Sequence, residues 1–174
     1  MSVQLNRYGL VAFSKDAPVT LDEACKFLNM RLDMNDSRVL RHALGSEEDR
    51  VGICNGCLLL CCGENLQFFH EPSSELTDRL LRAFPAGKGC AVYYFSIPDL
   101  YGYAYFENGK RERVKHGELN EVWVDHGNVL VFEGPDSTVT RTQEKLVGKI
   151  TGEELHELAG KEVSMFRFEL MPNS

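Results

Sequence analysis

The chain has 174 residues, 43% hydrophobic and 26% charged, a length and balance that suit one globular domain with its own core. Nineteen Lys and Arg against 26 Asp and Glu leave a formal net charge of −7, which disfavours non-specific nucleic-acid binding, because that depends on cations neutralising phosphates. No stretch approaches the ~20 apolar residues of a membrane-spanning helix. The opening residues show no cationic start followed by an apolar run, so a cytoplasmic protein with reduced cysteines is expected.

An apolar-rich opening predicts a strand over residues 4–14. Thr20-Leu21-Asp22-Glu23 is a capping box, and Leu21, Ala24, Cys25 and Leu28 recur at helical spacing, predicting a helix with one buried stripe. Asp36-Ser37 then turns the chain into a short strand over 38–44. Asn55-Gly56 sits between two apolar runs, 51–54 and 57–61, and reads as a type I′ hairpin turn. Val51, Ile53, Leu58 and Leu60 share its core face.

Residues 66–70 read as a strand. Ser74 caps a helix to about residue 84, striped by Leu76, Leu80, Leu81 and Phe84, and Pro85 stops it. Residues 90–95 are a strongly apolar strand. A hairpin is expected over 121–132, with its turn at Asp125-His126-Gly127-Asn128. Residues 140–149 lean helical. Thr151-Gly152-Glu153-Glu154 reads as a second capping box, opening a helix that ends at Gly160. A strand over 163–170 closes the chain. Three hairpins with about three short helices packed on the sheet predict an α+β fold, mainly antiparallel, in a single domain over 1–174.

Five of the six tyrosines fall between Tyr93 and Tyr105, just before a second Asn-Gly turn at Asn108-Gly109 and a basic strand. A two-residue turn there sets Glu107 opposite Lys110, Tyr105 opposite Glu112 and Tyr103 opposite Val114. Strict alternation then places Tyr101, Tyr103 and Tyr105 on one face with Glu112, Val114 and His116. Arg111, Arg113 and Lys115 take the other face, beside Gly102, Ala104 and Phe106. Tyr and Arg are enriched at binding hot spots. Tyr101, Tyr103, Tyr105, Arg111, Arg113, Lys115 and His116 are therefore the candidate binding residues. Replacing Arg111 and Arg113 with Ala is expected to spare the fold and weaken partner binding.

The remaining motifs point away from catalysis. Cys54-Asn55-Gly56-Cys57 matches C-x-x-C, but a hairpin turn supplies no helix dipole to activate a thiol. Cys61 would lie roughly 13 Å along the strand from that pair and Cys62 on the opposite face, so the thiols do not converge on one metal. G-x-S-x-G, H-E-x-x-H and the phosphate-loop pattern are absent. His42, His70, His116, His126 and His156 belong to no local signature.

The expectation is a non-enzymatic protein–protein interaction module, by analogy of the immunity or antitoxin kind, binding through the tyrosine–arginine ribbon over about residues 93–116. No cofactor or metal is expected, and no membrane or nucleic-acid partner. The alternative is a small-molecule-binding protein or enzyme whose pocket gathers distant residues around the tyrosines and His116.

Overall fold

The computed structural model describes residues 5–173, so Gln4, the first residue of the expected opening strand, lies outside the described residues. The strands are β1 (Arg7–Ser14), β2 (Met30–Val39), β3 (Arg50–Cys54), β4 (Cys57–Cys61), β5 (Lys88–Phe95), β6 (Leu100–Glu107), β7 (Lys110–Glu118), β8 (Glu121–Gly127) and β9 (Ser164–Leu170). They form one nine-stranded sheet in the order β2-β9-β3-β4-β1-β5-β6-β7-β8, and every adjacent pair is antiparallel. Five α-helices accompany it, where about three were expected: α1 (Leu21–Leu28), α2 (Leu40–Ala43), α3 (Glu75–Ala83), α4 (Val139–Thr151) and α5 (Leu155–Ala159). None is long and apolar enough to cross a membrane.

The sheet is covered on both sides, and alternation along the strands feeds two cores. Leu10 and Ala12 of β1 enter one, with α2, α4 and α5 supplying Leu40, Leu146, Ile150 and Leu158. Val11 and Phe13 enter the other, with Ala24 and Leu28 of α1 and Leu76 and Leu80 of α3. A strand buried on both faces has no polar positions to spare, which is why β4 reads Cys-Leu-Leu-Leu-Cys and is buried throughout.

Local chemistry sets several boundaries as expected. Thr20 and Glu23 form the capping box of α1, and Ser74 accepts from the Thr77 N–H at the start of α3. Both Asn-Gly pairs adopt the left-handed conformation that their turns require: φ is 54° and 70° at Asn55-Gly56, and 53° and 74° at Asn108-Gly109. Cys54 and Cys57 are cross-strand partners and remain free thiols.

Four expectations are corrected. Residues 38–44 are not one strand: β2 runs to Val39 and α2 follows, because Leu40 and Ala43 turn together into the core. Residues 66–70 fall in a 3-10 turn, Asn65–Phe68, and the loop after it. The cap of α5 is Glu154 with Glu157, since Thr151 still belongs to α4. The hairpin over 121–132 does not form. β8 continues through the expected turn, pairing as far as Gly127 with Arg113, and residues 128–138 cross from β8 to α4 without helix or ladder until Thr138 caps α4.

Two buried polar side chains tie the layers together. Gln143 of α4 donates to the carbonyls of Tyr93 (2.8 Å) and Gly102 (2.9 Å) and accepts from the Tyr8 hydroxyl. Arg50, fully buried, donates to Glu48, to Asp36 and to the carbonyl of Met165 at 3.2 Å. It closes the β2–β9–β3 end of the sheet beside an irregularity in β2 between Asp33 and Ser37. Hydrogen bonds from Arg50 hold the Asp36 and Glu48 carboxyls below the usual range.

Candidate functional site

The ribbon begins as its turn dictates, with Glu107 opposite Lys110, and then departs from strict alternation. Phe106 lies opposite Arg111 and Tyr105 opposite Arg113, leaving Glu112 as an extra residue in β7. The expected pairings of Tyr105 with Glu112 and Tyr103 with Val114 are therefore corrected: Tyr103 faces Lys115, and Val114 faces Ala104. A one-residue bulge exchanges the faces of everything beyond it. Arg113 and Lys115 join the tyrosine face, while Val114 and His116 join Ala104 and Gly102 on the other. Arg111 stays with Phe106. The bulge lets Val114 bury in the second core and brings the Arg113 guanidinium to Glu133.

Most of the candidate residues are inside the protein. Tyr101, Tyr103 and Tyr105 are 3, 3 and 5% exposed and pack in the same core as α4. Arg113 donates Nε and Nη2 to the two oxygens of Glu133 (3.0 and 2.8 Å) and also pairs with Asp125. The Tyr103 hydroxyl donates to the same carboxylate. Burial opposes ionisation of Glu133, but hydrogen bonds from Arg113, Tyr103 and the Leu130 N–H outweigh it and hold the pKa below the usual value. Glu133 and the buried Leu130 thereby pin residues 128–138 as a strap across the tyrosine face.

Beside this cluster is a cavity of about 220 Å³, walled in part by Tyr103, Arg113, Lys115, Asp125 and Thr142. Arg111 is occupied elsewhere. It donates to the carbonyls of Phe68 (3.0 Å) and His70 (3.2 Å) and pairs with Glu71, holding the loop after the 3-10 turn. His116 is 2% exposed and lies among Phe69, His70 and Trp123, with ring centroids 5.8, 5.0 and 5.6 Å away. Neither of its ring nitrogens has a hydrogen-bond partner among the described residues, and burial, with His70 nearby, lowers its pKa.

The nucleophile candidates are poorly placed for reaction. Cys61 and Cys90 are deep in the core, where burial pushes both thiols up to about 12, and Cys62 is raised well above its ordinary value for the same reason. Among the described residues, Glu144, Glu154 and His156 gather three potential metal ligands. One oxygen of each carboxylate is already used: Glu144 Oε2 accepts from the His156 backbone N–H at 3.0 Å, and Glu154 Oε2 pairs with Arg141 at 2.7 Å. An open cleft of about 460 Å³ between β2 and β9 is lined by opposite charges, two of which, Arg31 and Glu169, pair at 2.6 Å.

Exposed apolar side chains lie at the other end of the ribbon, besides Phe27, Met34, Val129 and Val131 elsewhere. The β5–β6 and β7–β8 turns are joined there, the Leu119 N–H donating to the Asp99 carbonyl at 3.2 Å. Around them Ile97, Leu119, Val122 and Trp123 are 76, 50, 49 and 45% exposed. β8 is the last strand of the sheet, and six of its seven residues are exposed. Trp123 is an extra residue in β8, between Val122 opposite Gly117 and Val124 opposite His116. Half-exposed apolar residues in short strands look like core residues, so no sequence pattern marks this corner. The one available signal was the chain's single tryptophan, in a stretch without Lys or Arg.

No protein-family model matches the chain, no curated protein matches its sequence, and no solved structure matches its fold.

Proposed function

We propose that this is a non-enzymatic protein-binding module that docks its partner on the corner formed by Ile97, Leu119, Val122 and Trp123, alongside the outer edge of β8. The observation that carries the reading is that these four apolar side chains stay exposed in and beside two hydrogen-bonded turns, Val122 on the tyrosine face of the edge strand and Trp123 against His116 on the other. Tryptophan is the residue type most enriched at binding hot spots, and an edge strand offers unpaired backbone groups beside it. The ribbon's part is to support this surface from within, since Tyr101, Tyr103, Tyr105 and Arg113 are covered by α4 and the strap. Around the tyrosines a small-molecule reading finds less support: the cavity beside Tyr103, about 220 Å³, falls below the roughly 300–1,000 Å³ of ordinary ligand pockets.

A photo-crosslinking amino acid placed at position 122 tests the reading against the same probe at 131, where Val131 is 95% exposed on the strap. In extract from the native cells, position 122 should yield one adduct of defined mass that is lost on Trp123→Ser. The captured protein, repurified, should form a stoichiometric complex with the wild-type chain. Equal adducts from both positions, or none from 122, would overturn the reading.

A further inference from the structure

The corner also carries a charge pattern that names the chemistry of what covers it. Glu118 and Glu121 are direct cross-strand partners flanking the β7–β8 turn, and neither is in an ion pair among the described residues. Like charges placed directly opposite each other on a ladder destabilise it. Asp99, exposed in the adjoining turn, adds a third carboxylate. No Lys or Arg occurs from Gly89 to Gly109 or from His116 to Thr140, so the chain segments that build the corner contain no cation.

The sheet register shows how far away relief is. Arg7, Phe95, Leu100, Glu118 and Glu121 form one row across five adjacent strands. Arg7 is thus three strands from Glu118, roughly 14 Å, and is already paired with Glu47 at 3.0 Å. Nearby, the buried Glu133 side chain and the exposed Asp125 are both matched by Arg113. The corner combines exposed apolar side chains with acids that have no ion pair among the described residues.

We infer that the partner presents Lys or Arg side chains around an apolar centre, a basic amphipathic segment of another protein. Its apolar residues wrap the β8 edge to cover Ile97, Leu119, Val122 and Trp123, and its cations bridge Glu118 and Glu121. A second copy of this chain does not fit, because two-fold pairing of this corner with itself brings no cation to the acids, the segments that build it having no Lys or Arg. The inference rests on the protein-binding reading above.

The single tryptophan makes the corner directly observable. The full chain is titrated with three short synthetic peptides of equal leucine content, alternating Leu with Lys, with Ser or with Glu, while Trp123 emission is followed. The Leu-Lys peptide should shift the emission, and its affinity should fall with added salt. Glu118→Gln with Glu121→Gln should weaken it about tenfold, the effect of two exposed ion pairs, with the fold intact by circular dichroism. Equal binding of all three peptides, unaffected by the Gln variants, would overturn the basic-partner inference and leave the docking reading standing. No emission change with any peptide would overturn both. Concentration-dependent dimerisation abolished by Trp123→Ser would replace the basic partner with a second copy.

Discussion

Arg113→Ala tests whether the tyrosine–arginine cluster is a buried structural hub. The guanidinium is 2% exposed, and the carboxylate it grips in two places belongs to a side chain only 8% exposed. Removing it leaves Glu133 buried with only the Tyr103 hydroxyl and the Leu130 N–H as donors. Breaking a buried pair from one side costs about 3–5 kcal/mol, against about 0–1 kcal/mol for an exposed pair. For a chain of this size that is a loss of roughly 6–20 °C in Tm.

Urea unfolding followed by tryptophan emission and circular dichroism measures the change. Combining Arg113→Ala with Glu133→Gln should be less damaging than the sum of the two, by about 1–3 kcal/mol, because the second change neutralises the orphaned charge. The pH dependence has a definite sign. The folded-state pKa of Glu133 is lowered, so its contribution is complete above the ordinary glutamate value of about 4.3 and is lost as pH falls through the folded value. The gap between wild type and Arg113→Ala should therefore narrow in acid. A cost under about 1 kcal/mol, or strict additivity, would refute this account. The large expected cost also reverses the sequence-based expectation that changing Arg111 and Arg113 spares the fold.

Glu121→Lys should turn the Glu118 repulsion into an attraction and raise stability by about 0.5–1 kcal/mol, read as a higher Tm; a lower Tm would remove the idea that the corner is held in electrostatic strain. Gln143→Leu should cost at least ~3 kcal/mol in denaturant unfolding, because it strands the carbonyls of Tyr93 and Gly102 and the Tyr8 hydroxyl in the core. Titration with a disulfide thiol reagent under native conditions should modify only the partly exposed Cys25 and Cys54, slowly because burial raises both thiols; Cys57, Cys61, Cys62 and Cys90 should react only after unfolding.

Much of the fold is legible where short-range chemistry decides it. Asn55-Gly56 and Asn108-Gly109 fix two hairpins, because few residue pairs tolerate positive φ at both turn positions. Thr20 and Ser74 place helix starts through bonds that span three residues. The apolar stripe of α3 selects its buried face without reference to any other element, and the unbroken apolar run of β4 marks a strand covered on both sides.

The candidate site was far less legible, because its partners are distant in sequence. A bulge at Glu112 decides which face Arg113 occupies, and what favours it is Glu133, twenty residues on, together with burial of Val114. Arg111 is claimed by carbonyls more than forty residues earlier. Whether residues 129–132 become a strand or a strap depends on a sheet edge and a buried ion pair that no local pattern encodes. By itself, then, the sequence determined the two Asn-Gly turns and the caps of α1 and α3, since these arise between neighbouring residues. The tertiary structure decided that the tyrosine ribbon is interior and the tryptophan corner exposed, because burial depends on what the rest of the chain packs against each face.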